Sequence, residues 1–199
     1  MEEDKKPRRV QKKPKKITPR YLDNVAAYYL ARYASSSVNL KRVLMRRAQR
    51  SCAYHESPLE EAEEMIDALV ERYCQAGFLN DESYALNLAR TLRAKGKSAR
   101  MILQKMYEKG IDPELAQQSL KATDSNLLEN AETVEDAEDV AAWRFARRRK
   151  LGPFRAAAER SDYREKDLGR LARAGFSYGT ARSILDQDDV PEEIADLIR

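Results

Sequence analysis

Residues 103–120 read LQKMYEKGIDPELAQQSL, and residues 168–185 read LGRLARAGFSYGTARSIL. Set in register, Leu103, Met106, Gly110, Ile111, Ala116 and Leu120 fall opposite Leu168, Leu171, Gly175, Phe176, Ala181 and Leu185. Helix-end chemistry explains the matches. A glycine just past a helix adopts the left-handed conformation, and the hydrophobe after it packs back on Met106 or Leu171 one turn earlier. Asp112 or Ser177 then caps the next helix, and Ala116 or Ala181 lies where the same hydrophobe can close a staple. Pro113 takes the first helical position, where no N–H is needed. One apolar side chain thus ties two helices together, and a corner that recurs marks an internal repeat.

The helix before the first corner opens after Ser98 and carries Ala99, Ile102, Leu103 and Met106 on one face. An earlier one, capped by Asn80 with Asp81 and Glu82 in its first turn, carries Tyr84, Leu88, Ala89 and Leu92. Each unit is therefore three short helices. In the last unit Val140, Trp143 and Ala146 line the first helix, Gly152-Pro153 breaks it, and Asp162 with Glu165 reads as a capping box for the second. The first unit is looser, with helices expected over 21–34, 38–50 and 60–75 and a corner stretched by Ser51 to Pro58. The expected organisation is a disordered basic arm (1–20), helical repeat 1 (21–79), helical repeat 2 (80–123), an acidic connector (124–133) and helical repeat 3 (134–199).

Composition agrees with an all-α chain. Of 199 residues 42% are apolar and 35% charged, and only 7 are glycine and 7 proline, so helix breakers are sparse. No apolar run approaches the roughly 20 residues of a spanning helix, the first twenty residues lack the apolar middle of a secretory signal, and Cys52 and Cys74 have no partner motif. A cytoplasmic protein with no membrane contact is expected. The net charge of +4 conceals strong local alternation: +6 over 1–20, +6 over 32–50, −8 over 51–82, +6 over 83–110, −8 over 111–142, +8 over 143–182 and −5 over 183–199. Basic surface able to meet a polyanion is hidden in that small sum.

The stretch Gly77-Phe78-Leu79-Asn80-Asp81-Glu82-Ser83-Tyr84-Ala85 resembles the glycine, two hydrophobes, Asp/Asn-Asp, aromatic-Ala signature of RecX proteins, bacterial regulators of the RecA recombinase. Gly96 to Leu103 and Lys109-Gly110-Ile111 are similar to that family's downstream glycine, Ile/Leu and Lys/Arg-Gly-Ile pattern. The resemblance spans about residues 21–188; the basic arm, the insertion at Ser51 to Pro58 and the connector depart from it. It implies an elongated, curved array of three-helix repeats, monomeric and without cofactor. Such a protein would bind in the groove of the RecA filament on single-stranded DNA and inhibit filament assembly, ATPase, strand exchange and co-protease activity, within DNA repair and the SOS response.

The residues themselves offer candidates for that contact. When the middle helices are aligned on Leu40, Leu103 and Leu168, the position two residues later is basic each time: Arg42, Lys105 and Arg170. Repeated along a stack, such side chains form a stripe suited to an acidic groove or a phosphate chain. Arg144, Arg147 and Arg148 share one side of their helix, away from Val140 and Trp143, in the densest cluster, which continues through Arg149 and Lys150. Arg46, Arg93, Lys97, Arg100 and Arg173 complete the set expected to touch RecA or DNA. Trp143, Tyr28 and Tyr29 could stack on bases, although aromatics at helical spacing more often fill a core. The alternative function is direct DNA binding by a helix-turn-helix-like protein; against it, the basic residues are spread over three units rather than gathered on one recognition helix.

Catalysis finds little support. His55, the single histidine, is expected in a loop beside Cys52, short of the four ligands of a structural zinc site. The glutamates at 60, 61, 63 and 64 suit the start of a helix, and no Walker-type loop or nucleophile elbow is present.

Overall fold

The computed structural model describes residues 13–129 and 136–198. Among these it contains ten α-helices, two short 3-10 turns and no strand. The chain divides into two compact units, one ending at Leu79 and the other beginning at Asn80.

The first unit holds α1 (Pro19–Leu30), α2 (Ser37–His55) and α3 (Leu59–Gln75). Thr18 and Ser36 cap α1 and α2 through their hydroxyls. Leu22, Ala26, Leu40, Leu44, Ala48, Ile66 and Leu69 interlock as the core. Two expectations are corrected here. Residues 51–55 are the last turn of α2, not a loop, and α2 stops at Glu56, which takes the left-handed conformation (φ 51°). Of the arm expected to be disordered, residues 1–12 lie outside the described residues. Its end is anchored: the Lys15 carbonyl accepts from Ser51 Oγ at 2.8 Å, the Pro14 carbonyl meets His55 Nε2 at 2.9 Å, and Ile17 packs on the core.

The second unit contains α4 (Asp81–Ala94), α5 (Ala99–Glu108), α6 (Pro113–Leu128), α7 (Ala137–Arg149), α8 (Arg160–Arg173), α9 (Tyr178–Leu185) and α10 (Glu192–Ala195). Helices α4 to α6 close over Ala85, Ala89, Ile102, Met106, Ile111, Ala116 and Leu120. Helices α7 to α9 close over Val140, Ala146, Leu151, Leu171, Phe176 and Ile184, with Ile194 and Ile198 of the C-terminal segment joining them. Trp143 is buried in this second core, edge-on to Phe154, so it belongs to the packing and not to a stacking surface.

The repeated corner has the geometry its chemistry demands. Gly110 and Gly175 have φ of 73° and 91°, and the Ile111 and Phe176 amides donate back to the Met106 and Leu171 carbonyls at 3.0 and 3.2 Å. Asn80, Ser98, Asp112 and Ser177 cap the helices that follow them. Two boundaries differ from expectation. Helix α6 runs on to Leu128, into the expected connector; residues 130–135 lie outside the described residues. No capping box forms at Asp162, because a 3-10 turn at Ala157–Glu159 already starts α8 at Arg160. Arg160 fixes that entry by donating to the carbonyls of Pro153, Arg155 and Asp188.

Candidate functional site

The basic side chains separate into those consumed by the fold and those presented on it. Arg93 was expected on the surface and lies inside, 3% exposed. Its Nε and one terminal nitrogen donate to the two Asp124 oxygens at 2.7 and 2.8 Å; the other donates to Glu138 at 2.6 Å and to the Lys97 carbonyl at 3.0 Å. Burial pulls the Arg93 pKa down, and its hydrogen bonds to the Asp124 and Glu138 carboxylates overcome it, leaving it above the usual arginine range. Glu138 also accepts from the Ala99 amide at the start of α5. Arg93 therefore joins α4, α6 and α7 and is a structural residue, not a contact for a partner.

Helices α4 to α6 and α7 to α9 meet closely around this knot. A methyl on Gly96 (φ 66°) would stand 2.6 Å from the Phe145 nitrogen and 2.8 Å from the Ala141 oxygen, so bare backbone is required there. Ser98, besides capping α5, donates to the Ala174 carbonyl at 2.7 Å and fills the space against Gly175.

The arginine cluster of α7 likewise turns toward backbone. Arg144 donates twice to the Leu197 carbonyl, at 2.6 and 3.1 Å, and Arg147 to the Ile198 carbonyl. Arg148 reaches the Lys95 carbonyl past the end of α4 at 2.6 Å. Cations at exposed helix-end carbonyls are locally favourable. Burial, then the charge of Arg93, lowers the Arg144 pKa. Arg147 and Arg148 keep exposed surface.

The remaining candidates lie outward. Arg42 and Arg46 are exposed on α2, and Arg100 and Lys105 on α5, with Lys105 pairing with Glu108 at 2.9 Å. Lys97 is half-buried in the turn before α5. Arg170 and Arg173 are exposed on α8 and line a cleft with Arg149 and Phe145. Arg170 also bonds Asp167 at 3.0 Å. Asp167, 2% exposed and absent from the sequence reading, accepts from Arg155 as well. Helix α8 also carries Asp162 and Glu165, so no local pattern singled out Asp167 as the buried one. Arg47 and Arg50, one turn apart on α2, were also missed; with Lys13 and Lys15 they line a groove beside α1.

Among the described residues no cluster of three metal-ligating side chains occurs, and no helix is long and apolar enough to cross a membrane. Fold and surface together define an all-helical protein built from three-helix groups that present arginine and lysine. The model of the second three-helix domain of RecX matches residues 80–120, the span of α4 to the end of the α6 core. Regulatory protein RecX of Myxococcus xanthus (strain DK1622) is 42% identical over 186 residues, covering 93% of this chain and 95% of that one. The proteins of the same name from Corynebacterium efficiens and Agrobacterium fabrum (strain C58) are 29% and 30% identical, over 67% and 60% of this chain and 60% and 57% of theirs. This chain belongs to the RecX family. No solved structure matches it. The relatives are named as regulatory proteins rather than as enzymes.

Proposed function

We propose that this protein binds the RecA filament assembled on single-stranded DNA and restrains it, slowing assembly and lowering ATP hydrolysis, strand exchange and co-protease activity. The observation that carries the reading is membership of the RecX family along 93% of the chain. The surface supports it: Arg42 and Arg46 in the first unit, and Arg100, Lys105, Arg170 and Arg173 in the second, are exposed on helices of repeated design. A filament of identical subunits on a phosphate chain offers a repeating partner, and cations at equivalent positions of repeated helices suit it. Lys97, Arg147 and Arg148 add cations to the second unit, while Arg93 and much of Arg144 act from within. The test is RecA ATP hydrolysis on single-stranded DNA with increasing amounts of this protein. Suppression well below one molecule per RecA monomer is expected; unchanged hydrolysis at equimolar protein overturns the reading.

A further inference from the structure

The adjacent Tyr28 and Tyr29 part company in the fold. Tyr29 packs on the core of the first unit and its hydroxyl accepts from Asn39 at 3.0 Å. Tyr28 stays 63% exposed, and the Arg32 guanidinium lies 3.7 Å from its ring centroid. Arg32 is held there by donating to the Tyr28 carbonyl at 3.4 Å, and the ring itself takes no part in the core of the unit.

Tyr28 lines a groove of about 660 Å3 together with Tyr21 and Val25 of α1. Arg47 and Arg50 of α2 line it too, together with Lys13 and Lys15 of the strap before α1. The strap that carries the two lysines is pinned by Ser51 and His55, so the four cations are held together and not merely near in sequence. No carboxylate lines the groove, and none of the four side chains pairs with one among the described residues. Like charges gathered without counter-charge raise the energy of the free protein, and a bound polyanion relieves that cost.

We propose that this groove binds single-stranded nucleic acid, with phosphates on Lys13, Lys15, Arg47 and Arg50 and a base stacked at Tyr28. Cations along a track beside a solvent-facing aromatic are the recurring means of holding a single strand without reading its sequence. An acidic peptide would satisfy the cations and leave the ring unused. A duplex keeps its base faces inside the stack, beyond the reach of Tyr28. The site needs no RecA and lies outside the set of cations assigned above to the filament.

The experiment is fluorescence anisotropy of a labelled oligothymidylate titrated with the full chain, without RecA, over a range of salt. Saturable binding that weakens with salt is expected. Replacing Arg47 and Arg50 together with Gln should weaken it at least tenfold and reduce the log–log salt slope by about 1.4, two phosphate contacts at roughly 0.7 each. Tyr28→Ala should weaken it about tenfold while Tyr28→Trp retains it, in line with the usual range for base stacking. Arg90→Gln with Lys121→Gln, which removes the same charge from exposed positions of the other unit, should leave affinity within twofold. Circular dichroism of each variant confirms the helical fold. Affinity unchanged in the Arg47/Arg50 double variant or in Tyr28→Ala overturns the proposal, as does equal competition by polyglutamate of matched charge. Because RecA is absent, such a failure leaves the filament reading intact.

Discussion

Arg93 shows how a charge can be read correctly as basic and wrongly as surface. Its partners Asp124 and Glu138 stand 31 and 45 residues away, so no local pattern announces them. The same holds for Arg144, whose carbonyl partner at Leu197 is 53 residues distant. Helix periodicity places a side chain on a face, and only the arrangement of helices decides what that face meets. Once the guanidinium is removed, two carboxylates that are about a quarter exposed lose their counter-charge. Arg93→Ala is therefore expected to cost about 3 kcal/mol, the usual scale for breaking a buried pair from one side. Arg93→Lys should recover only part of this, because an ammonium cannot donate along the fork that grips both Asp124 oxygens. Urea unfolding followed through Trp143, the only tryptophan and a member of the same unit, measures both. Stability unchanged by Arg93→Ala would mean the ion pairs are solvated and idle.

At the scale of elements, helix ends were the legible part of the chain. Asn80, Ser98, Asp112 and Ser177 cap where residue chemistry puts them, since a cap and its amide lie within three residues of each other. The ends of α2 and the start of α8 were misjudged for the complementary reason. At α8 a 3-10 turn and the carbonyls gathered by Arg160 replace a side-chain cap, and one of those carbonyls, at Asp188, is remote in sequence. The glycine corners allow the two levels to be separated. Gly77, Gly96 and Gly175 all have positive φ, so alanine at each bears the left-handed penalty of about 1 kcal/mol. Around Gly77 there is open space, so Gly77→Ala should cost no more than that. At Gly96 the new methyl meets backbone of α7, so helices must shift, whereas at Gly175 it meets the Ser98 side chain, which must turn away from the Ala174 carbonyl. Overpacking typically adds about 1 to 3 kcal/mol, and Gly96→Ala should be the most damaging of the three. Thermal unfolding by circular dichroism gives the order; equal losses at Gly77 and Gly96 would show that the close approach to α7 relaxes freely.

For the whole molecule, the segmental charge alternation foretold basic surface but not its division between structure and display. Arg42, Lys105 and Arg170 occupy the same register on α2, α5 and α8 and are all exposed, so on the filament reading they are the most economical probe of repeated contact. Replacing the three with Gln is expected to weaken suppression of RecA ATP hydrolysis several-fold. Arg42 and Lys105 should contribute no more than about 0.5 kcal/mol each to stability, as exposed side chains generally do. Arg170 needs separate care because it touches Asp167, which is almost fully buried. Arg155 keeps two hydrogen bonds to that carboxylate, and the Arg170 side chain is 45% exposed, so screening holds its loss below about 1 kcal/mol. A second triple, Arg42, Lys105 and Arg173 to Gln, spares Asp167 entirely and separates contact from stability. If both triples melt close to the parent and regulate poorly, the outward cations of repeated helices make the contact. If both regulate RecA as the parent does, the shared register is solvated surface and binding is carried elsewhere on the fold.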